Sequence, residues 1–262
     1  MSRASDRINA IAARHGFSHY LEIGVFRGET FLNVRMPHKT GVDPNFAFDT
    51  AEHLSPLTTY APVPSDEFFR TLPERLGERP YVLPEGRPFL FDLIFIDGLH
   101  TFEQSLRDFR NSLPYSHERT VWILDDTVPC DPWSAIPDQE KSYRYRGLAG
   151  IGGNPWHGDV FKTVFALHDL HPEFRYATQT SNGNPQTIVW KVAAPRKAEP
   201  VFGGREEIAR LSYFDMLDHA WALLPVDDNV ALGMIGMDIS PEDFTDPKSV
   251  SRLVRPLVAA AR

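Results

Sequence analysis

The chain has 262 residues, 42% of them hydrophobic and 24% charged, which is typical of a globular protein built on one large α/β domain. It carries 27 basic and 35 acidic side chains, and this net charge of −8 makes a nucleic acid a poor main partner. A single cysteine, Cys130, and the lack of a signal-like or membrane-length apolar run predict a cytoplasmic protein outside the membrane.

Apolar spacing and glycine turns predict alternating helices and strands in the first half of the chain. In chain order these are a helix over 4–15, a strand over 20–23, a helix opening at 30–34, strands over 39–43 and 58–63, a helix over 66–76, a strand over 91–96, a helix over 101–113 and a strand over 120–124. Strand, glycine turn, helix, strand begins a βαβ unit, which favours parallel strands.

The second half is predicted to close the sheet with an edge hairpin. The predicted elements are a long loop over 129–156, a helix over 159–170, strands over 174–178 and 187–192 joined by a turn at 182–185, and a helix over 206–224. A polar, proline-containing break at 193–203 divides the chain into a main domain, 1–195, and a C-terminal helical extension, 196–262. We expect this extension to be a candidate oligomerisation arm.

The first candidate site is the segment 22–28, which reads Glu-Ile-Gly-Val-Phe-Arg-Gly. Gly24 and Gly28 permit a tight turn whose backbone can approach a ligand closely. Asp43 follows Glu22 by 21 residues at the end of the next strand, where a carboxylate can accept hydrogen bonds from ribose hydroxyls. The third glycine of a dinucleotide fingerprint is missing. Two simpler interpretations stay open: an ordinary strand-to-helix turn, and Asp43 as a turn cap before Pro44.

The second candidate site is acidic. Asp97 ends one predicted strand, and Asp125 and Asp126 end the next. Ligands of open α/β sheets bind at the carboxyl ends of strands, so these three side chains are expected near one another. Neighbouring carboxylates repel unless a proton or a cation intervenes. An ion that prefers oxygen ligands, such as Mg²⁺, is the predicted solution.

With these motifs, roughly residues 15–192 resemble class I S-adenosylmethionine-dependent methyltransferases. The resemblance implies a Rossmann-like, doubly wound, mainly parallel seven-stranded sheet with an antiparallel edge hairpin. It also implies S-adenosylmethionine as cofactor. The residues that it assigns to cofactor binding are Glu22, Gly24, Gly28, Asp43, Ser65, Asp66 and Asp97, with Ser65 and Asp66 near the adenine.

The sequence is further similar to metal-dependent O-methyltransferases of the catechol and sugar types. That resemblance assigns the metal to Asp97, Asp125 and Asp126 and a hydroxylated small molecule, a sugar or a secondary metabolite, as acceptor. The chain departs from the sugar-type motif because the stretch 96–100 reads Ile-Asp-Gly-Leu-His and lacks the second acid. His100 is the nearest substitute base, since an ordinary histidine pKa near 6.5 suits proton removal at neutral pH. Asp97 and His157 complete the predicted catalytic set.

Several other interpretations stay open at this stage. His100 can merely close a turn, and Asp97 or Asp125 can cap a helix or contact the cofactor without binding metal. An NAD(P)-dependent oxidoreductase on a related sheet is the second function considered, although the glycine pattern disfavours it. A non-catalytic methyltransferase-like binding protein is the third, because a fold does not establish an activity.

Overall fold

The strands of the chain build one mixed sheet. A computed structural model describes residues 3–78, 90–181, 183–196 and 199–238. Its strands are β1 (His19–Ile23), β2 (His38–Val42), β3 (Thr58–Ala61), β4 (Phe91–Ile96), β5 (Ser116–Leu124), β6 (Phe174–Gln179), β7 (Gln186–Lys191) and β8 (Pro225–Val226). They lie in the order β3-β2-β1-β4-β5-β7-β6-β8. The predicted doubly wound α/β sheet is confirmed, with eight strands where seven were expected.

Helices and strands are interspersed along the described chain, and the helices between Arg205 and Met234 are short. They are α1 (Arg3–His15), α2 (Ser65–Glu78), α3 (Phe102–Ser112), α4 (Gln139–Leu148), α5 (Phe161–Leu170), α6 (Arg205–Ala209), α7 (Tyr213–Asp218) and α8 (Asp228–Met234). Single 3-10 turns occupy Phe31–Asn33, Thr50–His53, Leu113–Tyr115 and Ala220–Leu223. Across the described ranges, every helix is too short or too polar to span a membrane.

One compact unit consists of Met1–Gly98 and Arg107–Trp122. In it β1 pairs in parallel with β2 and with β4, and Ile23 lies opposite both Val42 and Ile96. The three strands therefore end level with one another. The residues that follow them leave the sheet at the same edge, which is where open α/β sheets bind their ligands.

A second compact unit consists of Leu99–Leu106 and Ile123–Arg262. Here β6 and β7 form the predicted antiparallel hairpin, and β8 pairs in parallel with β6. The segment before β8 is tied to β6 by the Thr178 hydroxyl, which donates to the Leu223 carbonyl over 2.6 Å. The described part of the predicted C-terminal extension thus completes the sheet. Its role in oligomerisation stays a prediction.

The structure corrects two predicted helices and one predicted loop. The helix at 30–34 is only a 3-10 turn, because the Arg35 amide, which would continue the helix by donating to the Phe31 carbonyl, donates to Asn9 Oδ1 over 2.8 Å. The loop over 129–156 contains α4, which Asp138 caps by accepting the Lys141 amide. The helix over 206–224 is interrupted, because Ser212 and Asp215 form a capping box that starts α7.

Asp92 joins the amino-terminal ends of β1, β4 and β5. Its Oδ2 accepts the backbone amides of Ser18 and His19, both over 2.8 Å, and its Oδ1 lies 2.9 Å from His117 Nε2. Burial alone would raise the pKa of this carboxyl. The hydrogen bonds from the histidines and backbone outweigh burial, and the net effect is a pKa well below the usual range.

Asp92→Asn is expected to lower the free energy of unfolding at pH 7 by about 1–3 kcal/mol, because a charged acceptor of several hydrogen bonds is lost. A lowered folded-state pKa stabilises the protein above the unfolded pKa of about 3.9, and this contribution disappears as the pH falls towards the folded value. Urea unfolding from pH 7 down to pH 3 should therefore show the two proteins converging in acid. Asp49→Asn, at an exposed cap, is the control. Equal stabilities at pH 7 would contradict the prediction.

Candidate functional site

The turn after β1 is held against the end of β4. Gly24 has a φ of +88°, and its amide donates to the Val42 carbonyl over 2.9 Å. A Cβ atom at this position would lie 1.9 Å from the backbone oxygen of Asp97. Gly28, with a φ of +74°, closes the turn by donating its amide to the Val25 carbonyl. Only glycine satisfies both the conformation and the contact at position 24.

The Asp43 carboxylate lies directly beside this turn. Its Oδ2 accepts the Phe26 amide over 2.8 Å and its Oδ1 accepts the Asn45 amide over 2.7 Å. Asp43 therefore caps the turn, which is one of the two simpler interpretations of the sequence. Each carboxylate oxygen can accept a second hydrogen bond, so this role is compatible with holding two ribose hydroxyls as well.

Glu22 is placed differently from the other predicted cofactor residues. It is 1% exposed, and it accepts the Tyr20 hydroxyl over 2.6 Å. Burial raises the pKa of Glu22 well above its usual value, and Asp97 raises it further, whereas the Tyr20 hydrogen bond and Lys39 act in the opposite direction. This carboxyl group thus lies in the core beneath the turn, where its protonated form is favoured.

Ser65 and Asp66, predicted near the adenine, begin α2. The exposed Asp66 carboxylate accepts the Arg107 guanidinium over 2.8 Å, so it ties α2 to α3. The Asp97 amide donates to the Ile23 carbonyl over 2.8 Å at the end of β4. The first unit therefore brings together Gly24, Asp43 and Asp97, while the Asp66 carboxylate is engaged with α3.

In the second unit, His100 is held by a carboxylate and by an aromatic ring. Its Nδ1 lies 2.9 Å from Asp126 Oδ2 and 2.9 Å from the Trp156 carbonyl oxygen. The Trp156 indole stacks on the imidazole with 4.6 Å between centroids and 21° between planes. A Cβ at Gly158 would lie 1.6 Å from the His100 carbonyl oxygen. The backbone at Gly158 therefore packs directly against the backbone of His100.

Asp126 is the centre of this network. It is 6% exposed and adopts a φ of +59°, a conformation that non-glycine residues rarely take. Burial acts to raise the pKa of Asp126, but the His100 hydrogen bond and the charges of His100 and His157 dominate and lower it. The carboxylate form is therefore favoured beside the imidazole.

Asn184 joins this network, although the sequence pattern marked it only as part of the turn at 182–185. Its Nδ2 donates to Asp125 Oδ1 over 2.7 Å and to Asp126 Oδ1 over 2.5 Å, and its Oδ1 lies 3.1 Å from His157 Nε2. No local signal in the sequence distinguishes this asparagine from an ordinary turn residue. His157, predicted to be catalytic, reaches the same network through Asn184.

The hydrogen-bond donors around Asp125 and Asp126 indicate whether these two carboxylates can bind the predicted Mg²⁺ ion. Mg²⁺ requires oxygen ligands in a near-octahedral shell, whereas these carboxylates already accept N–H groups from His100 and Asn184. With these N–H donors in place, the space between the Asp125 and Asp126 carboxylates does not suit a hard divalent ion. The assignment of a metal to Asp97, Asp125 and Asp126 stays a prediction.

Comparison with known proteins gives a family for part of the chain. Residues 21–127 match the model of a methyltransferase domain family. A search of curated proteins returned no match.

Among similar solved structures is an O-methyltransferase from Bacillus cereus in complex with S-adenosylhomocysteine, with 15% identity over 73% of this chain and 82% of that one, at a TM-score of 0.46. A second is an S-adenosylhomocysteine-bound methyltransferase from Podospora anserina, with 14% identity over 73% and 80%, at a TM-score of 0.48. A third is an O-methyltransferase involved in tomaymycin synthesis from Streptomyces achromogenes, with 14% identity over 73% and 90%, at a TM-score of 0.41.

The matched segment, 21–127, contains the glycine turn, Asp43, Asp97 and the Asp125–Asp126 pair. The predicted α/β sheet therefore carries a match to a methyltransferase domain family over residues 21–127.

Proposed function

We propose that the enzyme binds S-adenosylmethionine on the turn 24–28 and Asp43 and transfers its methyl group to a hydroxyl of a small molecule. The observation that carries this proposal is the junction of the glycine turn with Asp43 and Asp97. Phe26 donates to the Asp43 carboxylate over 2.8 Å, and a Cβ at Gly24 would collide with the Asp97 backbone. The glycine turn is therefore packed directly on the end of β4, and it lies beside a carboxylate that can accept ribose hydroxyls.

Methyl transfer by this route is a direct displacement. The acceptor oxygen attacks the methyl carbon, the carbon–sulfur bond breaks, and S-adenosylhomocysteine leaves with the sulfur electron pair. The acceptor hydroxyl proton must go to a base. The enzyme contributes chiefly by aligning the two reactants and by removing this proton.

We assign the proton to His100 Nε2, because Nδ1 faces Asp126 and the Trp156 carbonyl. The nearby Asp126 carboxylate stabilises the imidazolium that forms, and it fixes the ring in one tautomer. His100 follows Asp97 by three residues, so the base and the end of β4 belong to one short stretch of chain. His157 acts on this pair through Asn184 and is a positioning residue.

The proposed acceptor is a hydroxylated small molecule such as a sugar or a secondary metabolite. It follows from the resemblance to O-methyltransferases and from a base suited to a hydroxyl proton. Magnesium, predicted from the sequence, is not required by this proton transfer.

Asp43→Ala is expected to weaken S-adenosylmethionine binding by about 1–3 kcal/mol, or roughly 5- to 150-fold, because a charge-assisted acceptor for the ribose is lost. Isothermal titration calorimetry of the full chain measures this affinity directly. Asp49→Ala, at an exposed cap in the same unit, is the matched control and should bind as the parent does.

The same titration with NAD separates the proposal from the oxidoreductase alternative, for which NAD would bind and S-adenosylmethionine would not. Release of S-adenosylhomocysteine with a panel of hydroxylated acceptors then separates an active enzyme from a non-catalytic binding protein. Binding that is unchanged in Asp43→Ala would remove Asp43 from the cofactor site.

A further inference from the structure

We propose that the Asn184 side chain takes the place of a divalent cation between Asp125 and Asp126, so that this site works without a metal ion. The inference deepens the proposed function, on which its catalytic meaning rests. It assigns a positioning role to a residue of the β6–β7 turn.

The first support is the geometry of the amide nitrogen. Asn184 Nδ2 lies 2.7 Å from Asp125 Oδ1 and 2.5 Å from Asp126 Oδ1. A side-chain amide nitrogen has two hydrogens, so it can donate one to each carboxylate. Two carboxylates that share one region repel each other, and a donor that hydrogen-bonds to both stabilises their charged forms side by side.

The second support is the orientation of the amide. Asn184 Oδ1 lies 3.1 Å from His157 Nε2, which can donate a hydrogen to it. The reversed amide would set Oδ1 against both carboxylate oxygens and bring three acceptors together. Without a cation, the contacts therefore admit one orientation only, with the nitrogen between the acids.

The third support is the other oxygen of Asp126. Its Oδ2 lies 2.9 Å from His100 Nδ1, so Asp126 has an N–H donor on each oxygen. Asp126 makes these contacts with an unusual φ of +59°. A cation that bound the pair would have to displace the Asn184 nitrogen from both carboxylates.

The experiment is a titration of the full chain with Mn²⁺ and Mg²⁺, read by calorimetry and by the midpoint of thermal unfolding, so no acceptor is needed. The parent protein should show no saturable binding at millimolar metal. Asn184→Asp, which replaces the donor by a third carboxylate, should bind Mn²⁺ at least tenfold more tightly than the parent. Asn229→Asp, an exposed position with the same change of charge, should resemble the parent.

Asn184→Ala provides a second variant in case Asn184→Asp fails to fold. It leaves the two carboxylates without their shared donor, and Mn²⁺ should raise its unfolding midpoint but not that of the parent. Saturable metal binding by the parent, or no gain of metal response in either variant, would overturn the inference. A parallel titration with S-adenosylmethionine tests the proposed function separately, because its failure would leave the metal result intact.

Discussion

Gly24→Ala is expected to abolish measurable S-adenosylmethionine binding by the 262-residue chain. The added Cβ would lie 1.9 Å from the Asp97 backbone oxygen, and the φ of +88° is one that alanine rarely adopts. Backbone atoms cannot rotate away as a side chain can. The turn and the end of β4 must therefore separate, and the surface proposed for the cofactor is lost. Calorimetric titration with S-adenosylmethionine measures the effect.

Gly147→Ala is the matched control for this experiment. Gly147 lies within α4, and a Cβ there has no neighbour within 4 Å. Alanine is favoured over glycine in a helix by about 0.5–1 kcal/mol, so this variant should be slightly more stable and should bind as the parent does. Gly98→Ala gives an intermediate case, because its Cβ would lie 3.3 Å from Ile23 Cγ2, a side-chain atom that can move slightly. Parent-like affinity in a folded Gly24→Ala protein would disprove the proposed cofactor surface.

His100→Ala is expected to reduce methyl transfer by about 10²- to 10⁴-fold, the usual contribution of a general base. The affinity for S-adenosylmethionine should stay within about twofold of the parent, because less than 0.5 kcal/mol of binding is expected to depend on this side chain. Transfer of a labelled methyl group to the hydroxylated acceptors identified in the panel measures the rate.

Two further measurements separate a base from a merely structural histidine. Imidazole added to the His100→Ala reaction should restore part of the rate, since it can occupy the space of the lost ring and accept the proton. His100→Gln retains a hydrogen-bonding side chain near Asp126 without a base, and it should be as slow as the alanine variant. A Gln variant that turns over like the parent would assign His100 to structure instead. His53→Ala, at an exposed histidine, should leave the rate unchanged.

The sequence determined the sheet and the cofactor turn, because both depend on local patterns. Glycine or aspartate directly follows each of β1, β2 and β4, and parallel pairing brings such strand ends to one edge of the sheet. The sequence therefore predicts that Gly24, Asp43 and Asp97 lie close together. The same local signals failed at α4 and α7, where single capping residues decide the helix boundary and apolar spacing is weak.

The tertiary structure alone decided the environment of the acidic pair. Asn184 is separated from Asp125 by 59 residues, and Trp156 from His100 by 56 residues, so no short pattern links them. These contacts form because the β6–β7 turn and the segment before α5 pack against Asp125, Asp126 and His100 within the second unit. The burial of Glu22 is of the same kind, since the alternation of β1 cannot say whether a carboxyl faces a ligand or a tyrosine in the core. The residues at which strands end can be predicted from local sequence. The hydrogen-bond donors to a buried carboxylate come from distant parts of the chain and are decided by tertiary packing.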